Sequence, residues 1–342
     1  MDTAKVRIGL IGIGAIGRTH FGCYKNTPDA ELVALCDIDG RKLEGDWSRQ
    51  GFNLGAQDAR REDLSAYRTF TDWKEIIADP EIDVVDICLP ISQHAEVAVA
   101  ALKAGKHVLC EKPMARTSAQ CTEMEAAATE AGKQLMIAHC LRYWPQYVET
   151  QKVIASGEYG KPLYARFHRA SGTPKWSYQD WLRTASESGG SLLDMHVHDV
   201  DAALWYFGKP ASIEADGIFA KDLPTAVDAV WSYPDGLRVY LHNAWDENDT
   251  PFRYAFSIAM ETGTIAFDSS SKDAQLRIYT SGSQPKVIEL DSSSAYQNEI
   301  DDFTSCIRAG KVADRITLAD GRAAVEAVEE ETRQLYAKHG RA

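Results

Sequence analysis

The sequence lacks the cysteine pattern that marks a disulfide framework. Its seven cysteines are odd in number and never form a C-x-x-C pair. Several of them fall within apolar runs, where cysteine behaves as a small apolar residue. We therefore predict that the cysteines are reduced and mostly buried.

Long apolar runs and an excess of basic charge are also missing. No run approaches the roughly 20 apolar residues that cross a bilayer. Residues 1–5 lead straight into a predicted strand, without the parts of a secretion signal. Lys and Arg number 37 against 50 Asp and Glu, a net charge of −13, and they are scattered. We expect no nucleic acid and no membrane as a partner, and a cytoplasmic location.

The length and the apolar content fit two folded domains. At 342 residues the chain exceeds the roughly 100 to 200 residues of one domain. Its 44% of apolar residues suffices for two hydrophobic cores. Because the sequence pattern changes near residue 145, we predict a first domain over residues 1–145 and a second over residues 146–342.

A glycine turn follows the first predicted strand. The run from Val6 to Ile11 ends in Gly12, Gly14 and Gly17, after which residues 18–24 can continue as a helix. The first glycine permits a tight turn, the second lets the backbone approach a pyrophosphate, and the third lets helix and strand pack closely. The helix N-terminus supplies N–H groups to the anion. The pattern predicts a dinucleotide-binding turn.

An acidic residue closes the second predicted strand. The run from Glu31 to Cys36 ends at Asp37, 20 residues after Gly17, where a carboxylate suits a ribose 2′-hydroxyl. Asp37, with Asp39 nearby, would repel a 2′-phosphate, so we predict NAD rather than NADP. Arg41 is the residue that can soften this preference. The alternative interpretation of Asp37 is a turn aspartate after a strand.

Strands and helices alternate through the rest of the first domain, which predicts parallel strands joined by crossover helices. We interpret Thr69 to Trp73 as a connector, with Asp72 as a candidate N-cap for a helix over residues 73–78. His94, in the next helix, either satisfies local N–H groups or contacts the nicotinamide end of a dinucleotide. Further predicted elements are strands 83–89 and 134–138, helices 92–101 and 118–132, and a strand that starts at residue 107.

Two opposite charges and a proline end the strand that starts at His107. Glu111, Lys112 and Pro113 follow a short apolar run. The carboxyl edge of an open parallel sheet is its ligand crevice, so both charged side chains would stand on a fixed backbone beside a ligand. The alternative for Lys112 is an ordinary solvated lysine at a strand end.

The second domain has a different pattern. Strand-like runs separated by turn residues such as Pro234-Asp235-Gly236 predict an antiparallel sheet. The predicted strands are residues 163–170, 211–220, 226–233, 237–244, 252–260, 263–268, 275–279 and 286–290, and the predicted helices are 144–156, 295–308 and 318–339. The fold class is therefore α/β, a doubly wound parallel sheet followed by an α+β domain.

A helical insertion in the second domain carries carboxylates and imidazoles. On a helix, Asp194, His198 and Asp201 fall at i, i+4 and i+7 on one face. A carboxylate beside an imidazole favours its protonated form and makes it a better proton acceptor. Two alternatives stay open. A strand would place His196 and His198 on one face as part of a metal site, or His198 is a satisfied core histidine.

Taken together, these motifs resemble the Gfo/Idh/MocA family of sugar and cyclitol oxidoreductases over nearly the whole length. The matching pieces are Gly12 to Gly17 with His20 after it, Asp37, the turn Pro90–His94, residues 100–113, and Gly189-Gly190 leading to Asp194 and His198. The turn has Pro90-Ile91-Ser92 where many relatives have a threonine, a proline and an asparagine. The resemblance implies a Rossmann domain followed by a large, open, mostly antiparallel sheet, whose exposed face makes a homodimer or homotetramer.

The resemblance also implies roles for single residues. It assigns the lysine of the E-K-P motif to Lys112, and the aspartate and histidine of the D-x-x-x-H helix to Asp194 and His198. The expected substrate contacts add Arg142, His168 and Trp181, of which Trp181 can equally anchor its loop. Glu111 would position the backbone or the ribose side, and the Lys112–Pro113 bond becomes a candidate cis peptide. The expected cofactor-binding residues are Gly12, Gly14, Ala15, Ile16, Gly17, Asp37, Pro90, Ile91, His94, Glu111 and Lys112.

The activity expected from this resemblance is reversible NAD-dependent oxidation of a secondary hydroxyl on a polyhydroxylated ring. His198 would take the hydroxyl proton, Lys112 would hold the substrate oxygen, and Asp194 would orient His198 or bind a neighbouring hydroxyl. Three alternatives remain. One is recycled NAD with net lyase, epimerase or glycosidase chemistry, another is a non-catalytic NAD-binding regulator, and the third is a metal-dependent hydrolase or isomerase that uses His196 and His198.

Overall fold

The computed structural model describes residues 5–48, 61–245, 248 and 250–341. Within these residues the chain forms two compact units, which we call unit 1 and unit 2. In the described part of the chain, no helix is both long and apolar enough to cross a bilayer.

The two units are not continuous in sequence. Unit 1 contains the residues up to Cys140, the segment Trp176–Gln179 and the segment Ser294–Arg322. Unit 2 takes the rest of the chain. The first change of unit lies close to the predicted boundary at residue 145, whereas the return of residues 294–322 to unit 1 departs from the prediction.

Unit 1 is built on a six-stranded sheet. Its strands are β1 Val6–Ile11, β2 Ala30–Cys36, β3 Arg68–Phe70, β4 Val84–Ile87, β5 His107–Glu111 and β6 Leu135–Ala138. The order is β3-β2-β1-β4-β5-β6, and every neighbouring pair is parallel. The predicted doubly wound sheet is thereby confirmed. The order reverses between β1 and β4, where ligands bind outside the carboxyl ends of the strands.

One strand of this sheet corrects the prediction from sequence. Arg68–Phe70 pairs in parallel with β2, with Arg68 opposite Ala34 and Phe70 opposite Cys36. The predicted connector over Thr69 to Trp73 therefore begins as an edge strand. Its three residues are exposed or half-buried, so the segment carries no apolar alternation that would identify a strand.

Helices connect the strands of unit 1. They are α1 Ala15–Tyr24, α2 Gly40–Leu43, α3 Trp73–Ala78, α4 His94–Lys103 and α5 Ser118–Ala131. Asp72 is the N-cap of α3, as predicted, because its side chain accepts a hydrogen bond from the Lys74 N–H at 2.9 Å. The α4 helix buries small apolar residues, among them Ala95, Ala98 and Ala101, which allow close packing.

A helix from the end of the chain belongs to unit 1. In α9, Ala295–Ala309, the Gln297 side chain donates a hydrogen bond to Thr27 Oγ1 at 3.0 Å. Arg308, in the last turn of the same helix, pairs with Asp29. These contacts hold α9 against the segment that joins α1 to β2, which explains why a C-terminal helix completes the N-terminal fold.

Unit 2 is built on an eight-stranded sheet. Its strands are β7 Pro162–Ala170, β8 Ser212–Ala220, β9 Leu223–Ser232, β10 Arg238–Ala244, β11 Arg253–Met260, β12 Thr264–Asp268, β13 Leu276–Tyr279 and β14 Lys286–Ile288. The order is β14-β13-β12-β11-β7-β10-β9-β8. The pair β7–β10 is parallel and the other six pairs are antiparallel, which confirms the mostly antiparallel sheet.

The two faces of this sheet differ in chemistry. On β7, Ala165, Phe167 and Arg169 are buried on the face that packs against helices. The helices of unit 2 are α6 Pro145–Ser156, α7 Ala185–Ser188, α8 Val197–Phe207 and the later part of α10 Leu318–Lys338. The opposite face, which we call the open face, exposes Tyr164 at 40% and Tyr240 at 42%.

Candidate active site

The glycine turn between β1 and α1 has the geometry of a pyrophosphate-binding turn. Gly12 has a φ of +93°, and a Cβ there would lie 2.3 Å from the carbonyl oxygen of Cys88. A Cβ at Gly17 would lie 1.8 Å from the carbonyl oxygen of Gly12. By contrast, a Cβ at Gly14 would meet no atom of the described residues within 4 Å. Gly14 thus leaves open the space where this motif admits a phosphate, next to the N-terminus of α1.

Asp37 lies at the carboxyl end of β2, beside this turn. Its Oδ2 accepts a hydrogen bond from the Ile13 N–H at 2.8 Å, and its Oδ1 accepts one from the Asp39 N–H at 2.9 Å. The backbone of the glycine turn therefore fixes the carboxylate at the position where the motif places a ribose.

The basic residue beside Asp37 is Lys42 rather than Arg41. Lys42 Nζ lies 2.8 Å from Asp37 Oδ2 and 5.9 Å from the centroid of the Tyr178 ring. Arg41 instead pairs with Asp39, with Nη2 2.7 Å from Oδ2. Sequence reasoning missed Lys42 because α2 is a single turn, and no periodic pattern tells which of two adjacent basic side chains turns back toward β2.

Glu111 and Lys112 occupy the carboxyl end of β5. The Lys112–Pro113 peptide bond is cis. The sequence marks this bond as a candidate for that isomer. The backbone N–H of Lys112 donates a hydrogen bond to Glu111 Oε2 at 3.1 Å. The other carboxylate oxygen, Oε1, lies 3.2 Å from His20 Nε2. Glu111 is buried, and its contacts with the described residues hold the backbone of Lys112.

His94 contacts backbone carbonyl groups, not the N–H groups that the sequence suggests. Its Nδ1 lies 2.8 Å from the carbonyl oxygen of Pro113 and its Nε2 lies 2.9 Å from that of Leu89. Burial lowers the pKa of His94, although the two carbonyl contacts favour the charged ring. The imidazole ties the residue after Lys112 to the end of β4, and with 1% exposure it is itself part of the protein interior.

The turn after β4 holds Pro90 and Ile91. Pro90 precedes a single 3₁₀ turn over Ile91–Gln93, with extended backbone at φ −57° and ψ 145°. Ile91 is buried, whereas Pro90 is partly exposed. Of these two residues, Pro90 is therefore the one that offers surface to a ligand at this strand edge.

In unit 2, Asp194 and His198 lie on a helical segment with an unusual start. The segment begins as a π-helical turn over Leu192–His196 and continues as α8. Among residues 191–203, Asp194 and His198 are partly exposed and all the others are buried. Single π-helical turns are frequently found at functional sites. The helical conformation also removes the strand geometry on which the metal alternative depends.

His196 belongs to the core of unit 2. Its side chain has no exposed surface, and Nε2 lies 2.8 Å from Glu331 Oε2. The other oxygen of Glu331 accepts a hydrogen bond from Trp231 Nε1 at 2.7 Å. In the described residues, the group of side chains close enough to hold a metal ion contains neither His196 nor His198. Within the described residues, the geometry therefore does not support a metal site on this histidine pair.

Asp201, the third member of the predicted helix face, is paired with Arg142. Arg142 Nε lies 3.0 Å from Asp201 Oδ2, and Nη2 lies 2.8 Å from Oδ1. The side chains are 3% and 1% exposed. The pair is a buried ion pair within unit 2, so its geometry does not support the predicted substrate contact of Arg142.

His168 lies on the open face of the sheet. Its ring stacks on that of His242, with centroids 5.0 Å apart and an interplanar angle of 9°. It also lines a cavity of about 330 Å³ on that face. The next residue, Arg169, points the other way and pairs with Asp199 of α8 at 2.8 Å. The geometry therefore separates His168 from the helix of Asp194 and His198.

Trp181 lies beside the π-helical turn. It packs against the cluster formed by Leu182, Met195 and Trp245. Because Met195 follows Asp194 directly, the indole ring supports the loop next to the proposed site. This contact favours the anchoring role of Trp181.

Two family models match the chain. Residues 6–139 match the oxidoreductase family described as an NAD-binding Rossmann fold, and residues 147–266 match the Gfo/Idh/MocA C-terminal domain. The chain belongs to the Gfo/Idh/MocA family. The resemblance that the motifs indicate is thereby confirmed, and NAD is the cofactor that this Gfo/Idh/MocA protein shares with its family.

Relatives of this Gfo/Idh/MocA protein include inositol 2-dehydrogenase of Salmonella typhimurium, 31% identical over 204 residues. That alignment covers 58% of this chain and 54% of the relative, so the chain matches about half the length of this curated protein. The solved structure of aldose-aldose oxidoreductase from Caulobacter crescentus, complexed with glycerol, has a TM-score of 0.82 at 23% identity, covering 99% of each chain. Levoglucosan dehydrogenase with NADH and levoglucosan has a TM-score of 0.83 at 22% identity, covering 98% of each. These two likenesses show a shared fold over the whole length.

The residues of unit 1 fit the cofactor of the Gfo/Idh/MocA family. Gly12 and Gly17 close the turn where a side chain would collide with backbone, and Gly14 leaves space for the pyrophosphate. The Asp37 carboxylate, held by the same turn, would bind ribose hydroxyls. NAD would therefore be held mainly by the carboxyl ends of β1 and β2.

Proposed function

We propose that this protein is an NAD-dependent dehydrogenase that oxidises a secondary hydroxyl of a sugar, a sugar derivative or a cyclitol to a ketone or lactone. Membership of an oxidoreductase family with an NAD-binding domain supports the reaction type. Inositol and levoglucosan, named in the relatives, are both polyhydroxylated rings, which supports the substrate class.

The observation that carries the proposal is the exposure pattern of residues 191–203. A buried helical segment exposes only a carboxylate, Asp194, and an imidazole, His198, along this stretch. Burial of the neighbouring residues fixes the backbone of both, which is what a proton acceptor and its orienting group need.

Three side chains would carry the reaction. His198 takes the hydroxyl proton as general base, and Asp194 orients His198 or accepts a neighbouring hydroxyl. The Lys112 ammonium group donates a hydrogen bond to the substrate oxygen and stabilises the negative charge that develops there. NAD, when bound, supplies the acceptor for the two electrons and the hydrogen that leave the substrate carbon.

Asp37 would set the preference for NAD over NADP. Its carboxylate accepts hydrogen bonds from ribose hydroxyls and repels a 2′-phosphate. Lys42 partly offsets this repulsion because its ammonium group forms an ion pair with the Asp37 carboxylate. The proposed preference is therefore for NAD, with Lys42 rather than Arg41 as the group that moderates it.

Substitution of His198 tests the proposed base. We expect His198→Ala to lower kcat about 10²- to 10⁴-fold at saturating NAD and substrate, the usual contribution of a general base. NADH binding, followed by nicotinamide fluorescence, should stay unchanged because the cofactor residues are in unit 1. His339→Ala, which removes a partly exposed histidine near the end of the chain, is the control. Near-full turnover of His198→Ala would refute the assignment.

A substrate screen separates this proposal from its alternatives. Inositols and common aldoses are incubated with the protein and NAD while NADH absorbance and product formation are measured together. A dehydrogenase forms one NADH per product. Product without NADH accumulation indicates that NAD is recycled within a net lyase, epimerase or glycosidase reaction. Binding of NAD without conversion of any ring indicates a regulator.

A further inference from the structure

A chain of buried polar side chains joins α1, β4 and β5 in unit 1. His20 Nδ1 lies 2.8 Å from Asp86 Oδ2, and the Tyr24 hydroxyl donates to the same oxygen at 2.9 Å. On the other side of the ring, His20 Nε2 lies 3.2 Å from Glu111 Oε1, an ion-pair contact that is longer and less well aligned. Glu111 Oε2 then accepts the backbone N–H of Lys112 at 3.1 Å.

The contacts of His20 determine its charge state. Each ring nitrogen faces a carboxylate oxygen, and Asp86 accepts from Tyr24 as well, so Asp86 acts as an acceptor. A neutral imidazole has one N–H and would turn a lone pair toward one of the two carboxylates. The imidazolium donates to Asp86 and places its second N–H and its positive charge against Glu111. The ring is fully buried, where an uncompensated pair of carboxylates would be costly.

Titration of His20 depends on groups from four elements. Burial by itself lowers the pKa of His20, but the charges of Asp86 and Cys88 and the hydrogen bonds to these two side chains together hold this pKa well above the ordinary value. Burial raises the pKa of Glu111, but the hydrogen bond from His20 and its charge hold that pKa below its usual range. The groups around the ring are Cys23 and Tyr24 of α1, Asp86 and Cys88 at β4, Glu111 of β5 and Tyr296 of α9.

A metal ion is the competing explanation for part of this cluster. His20, Asp86 and Cys88 place ligand atoms within 4.8 Å of one another. However, His20 Nδ1 and Asp86 Oδ2 are at hydrogen-bond distance, and burial raises the pKa of the Cys88 thiol, which disfavours the thiolate that a metal requires. Cys88 Sγ donates to Asp86 Oδ1 at 3.6 Å, so hydrogen bonds account for the contacts of all three side chains.

We propose that His20 is a positioning residue for Lys112, a buried cation that holds the Glu111 carboxylate against the backbone N–H of Lys112. The inference rests on the proposed role of Lys112 at the substrate oxygen. On the other side of Lys112, His94 holds the carbonyl group of Pro113. The two histidines thus hold the backbone before and after the lysine, and a displacement of about 1 Å at such a group can cost 10²-fold in rate.

The charge of His20 can be measured in the native protein without any activity. We expect imidazole nitrogen NMR to show both ring nitrogens of His20 protonated at a pH of about 7.5, one unit above the ordinary pKa of histidine. His107 in β5 is the internal contrast, because burial lowers its pKa to about 4 and leaves it neutral. Glu111→Gln identifies the His20 signals, since loss of one carboxylate should lower the pKa of His20. A neutral His20 in the native protein would overturn the proposal, as would a stoichiometric metal ion in the purified protein.

A double-mutant cycle tests whether His20 acts through Lys112. We expect His20→Gln to lower kcat about 10- to 100-fold and to change the Kd of NADH less than about twofold. In a Lys112→Ala background, the same substitution should cost no more than about a further twofold. His107→Gln, on the same strand as Glu111, is the matched control and should leave turnover unchanged. Equal losses from His20→Gln in both backgrounds, or joint loss of turnover and NADH binding, would show a merely structural role.

Glu111→Gln gives an independent measurement if His20→Gln does not fold. The amide can accept from Lys112 only when the ring of His20 is neutral and accepts from the amide nitrogen. The pH dependence of turnover in Glu111→Gln should therefore follow the titration of His20 measured by NMR. The native enzyme should lack this dependence. A pH profile of Glu111→Gln that equals the native profile would count against the proposal. If Lys112→Ala alone keeps near-full turnover, the proposed function of Lys112 fails, while the NMR result for His20 stands separately.

Discussion

At the scale of single residues, Asp37 and Lys42 show how one neighbour changes the chemistry of a motif. The acidic residue after β2 predicts NAD because it repels a 2′-phosphate. The ammonium group of Lys42, 2.8 Å from Asp37 Oδ2, neutralises part of that charge. The preference for NAD therefore depends on a balance between two side chains, and each of them can be removed separately.

We expect Asp37→Ala to make NADP acceptable to the enzyme. With the carboxylate gone, Lys42 is free to pair with a 2′-phosphate, so kcat/KM for NADP should rise about 10- to 100-fold relative to NAD. Lys42→Ala in the same background should abolish that gain. Steady-state kinetics with both cofactors measure the effect, and a native enzyme that already prefers NADP would contradict the argument.

Arg142 is a residue whose observed partner, Asp201, differs from the substrate contact that the sequence predicts. Its guanidinium group is buried against Asp201, and removal of one partner of such a pair typically costs about 3 to 5 kcal/mol. We expect Arg142→Met to destabilise unit 2 by this order and Arg142→Met/Asp201→Leu to restore much of the loss. Thermal unfolding measures stability, and the double variant should keep the KM of the native enzyme. A large rise in the KM of the double variant would indicate that Arg142 contacts the substrate.

At the scale of elements, the π-helical turn is placed by a glycine that precedes it. Gly190 has a φ of +72°, and a Cβ there would lie 2.3 Å from the carbonyl oxygen of Pro224. The backbone just before Asp194 and His198 therefore approaches the start of β9 more closely than any side chain allows. The contact fixes where the helical segment begins relative to the sheet of unit 2.

We expect Gly190→Ala to destabilise unit 2 by at least about 2 kcal/mol, because alanine meets both the left-handed backbone and the Pro224 carbonyl group. Gly157→Ala is the matched control in the same unit. Gly157 has a φ of +65°, but its Cβ would meet no described atom within 4 Å, so only the backbone cost of about 1 kcal/mol applies. Differential scanning calorimetry compares the two. Equal losses of stability would show that the Pro224 contact is unimportant.

Most elements follow from local sequence because their signals are local. The glycine turn, the N-cap at Asp72 and the strands of the open sheet are indicated by turn residues and apolar patterns that act over a few positions. The edge strand β3 lacks such a pattern because its residues are exposed or half-buried. The π-helical turn is also beyond local rules, since the same i, i+4 spacing of Asp194 and His198 suits an ordinary helix.

At the scale of the whole molecule, the open face of unit 2 is the surface that we propose for self-association. Tyr164 and Tyr240 are 40% and 42% exposed on it, with the Arg166 guanidinium group 5.4 Å and 5.9 Å from their ring centroids. Exposed aromatic residues with an arginine are typical of the centre of protein interfaces. This arrangement supports a homodimer or homotetramer through this sheet.

We expect the native protein to have the mass of a dimer or tetramer in sedimentation experiments, and Tyr240→Asp to reduce it. A charge at the centre of such an interface is costly. The Kd for dissociation of the assembly should therefore rise at least tenfold, a change of about 1.4 kcal/mol. Val312→Asp changes an apolar residue that is 75% exposed in unit 1 and should leave the mass unaltered. A native protein that sediments as a monomer would exclude the assembly.

The sequence by itself determined the family, most of the strands and helices and the residue types of the candidate site, because glycine turns, apolar periodicity and charged strand ends are local properties of the chain. Only the tertiary structure decided which side chains face each other. It paired Arg142 with Asp201, put His168 on the open face, brought Lys42 to Asp37 and set His20 between Asp86 and Glu111. These pairings join residues on different elements or side chains whose direction the pattern leaves open, and packing alone selects among the partners that local rules allow.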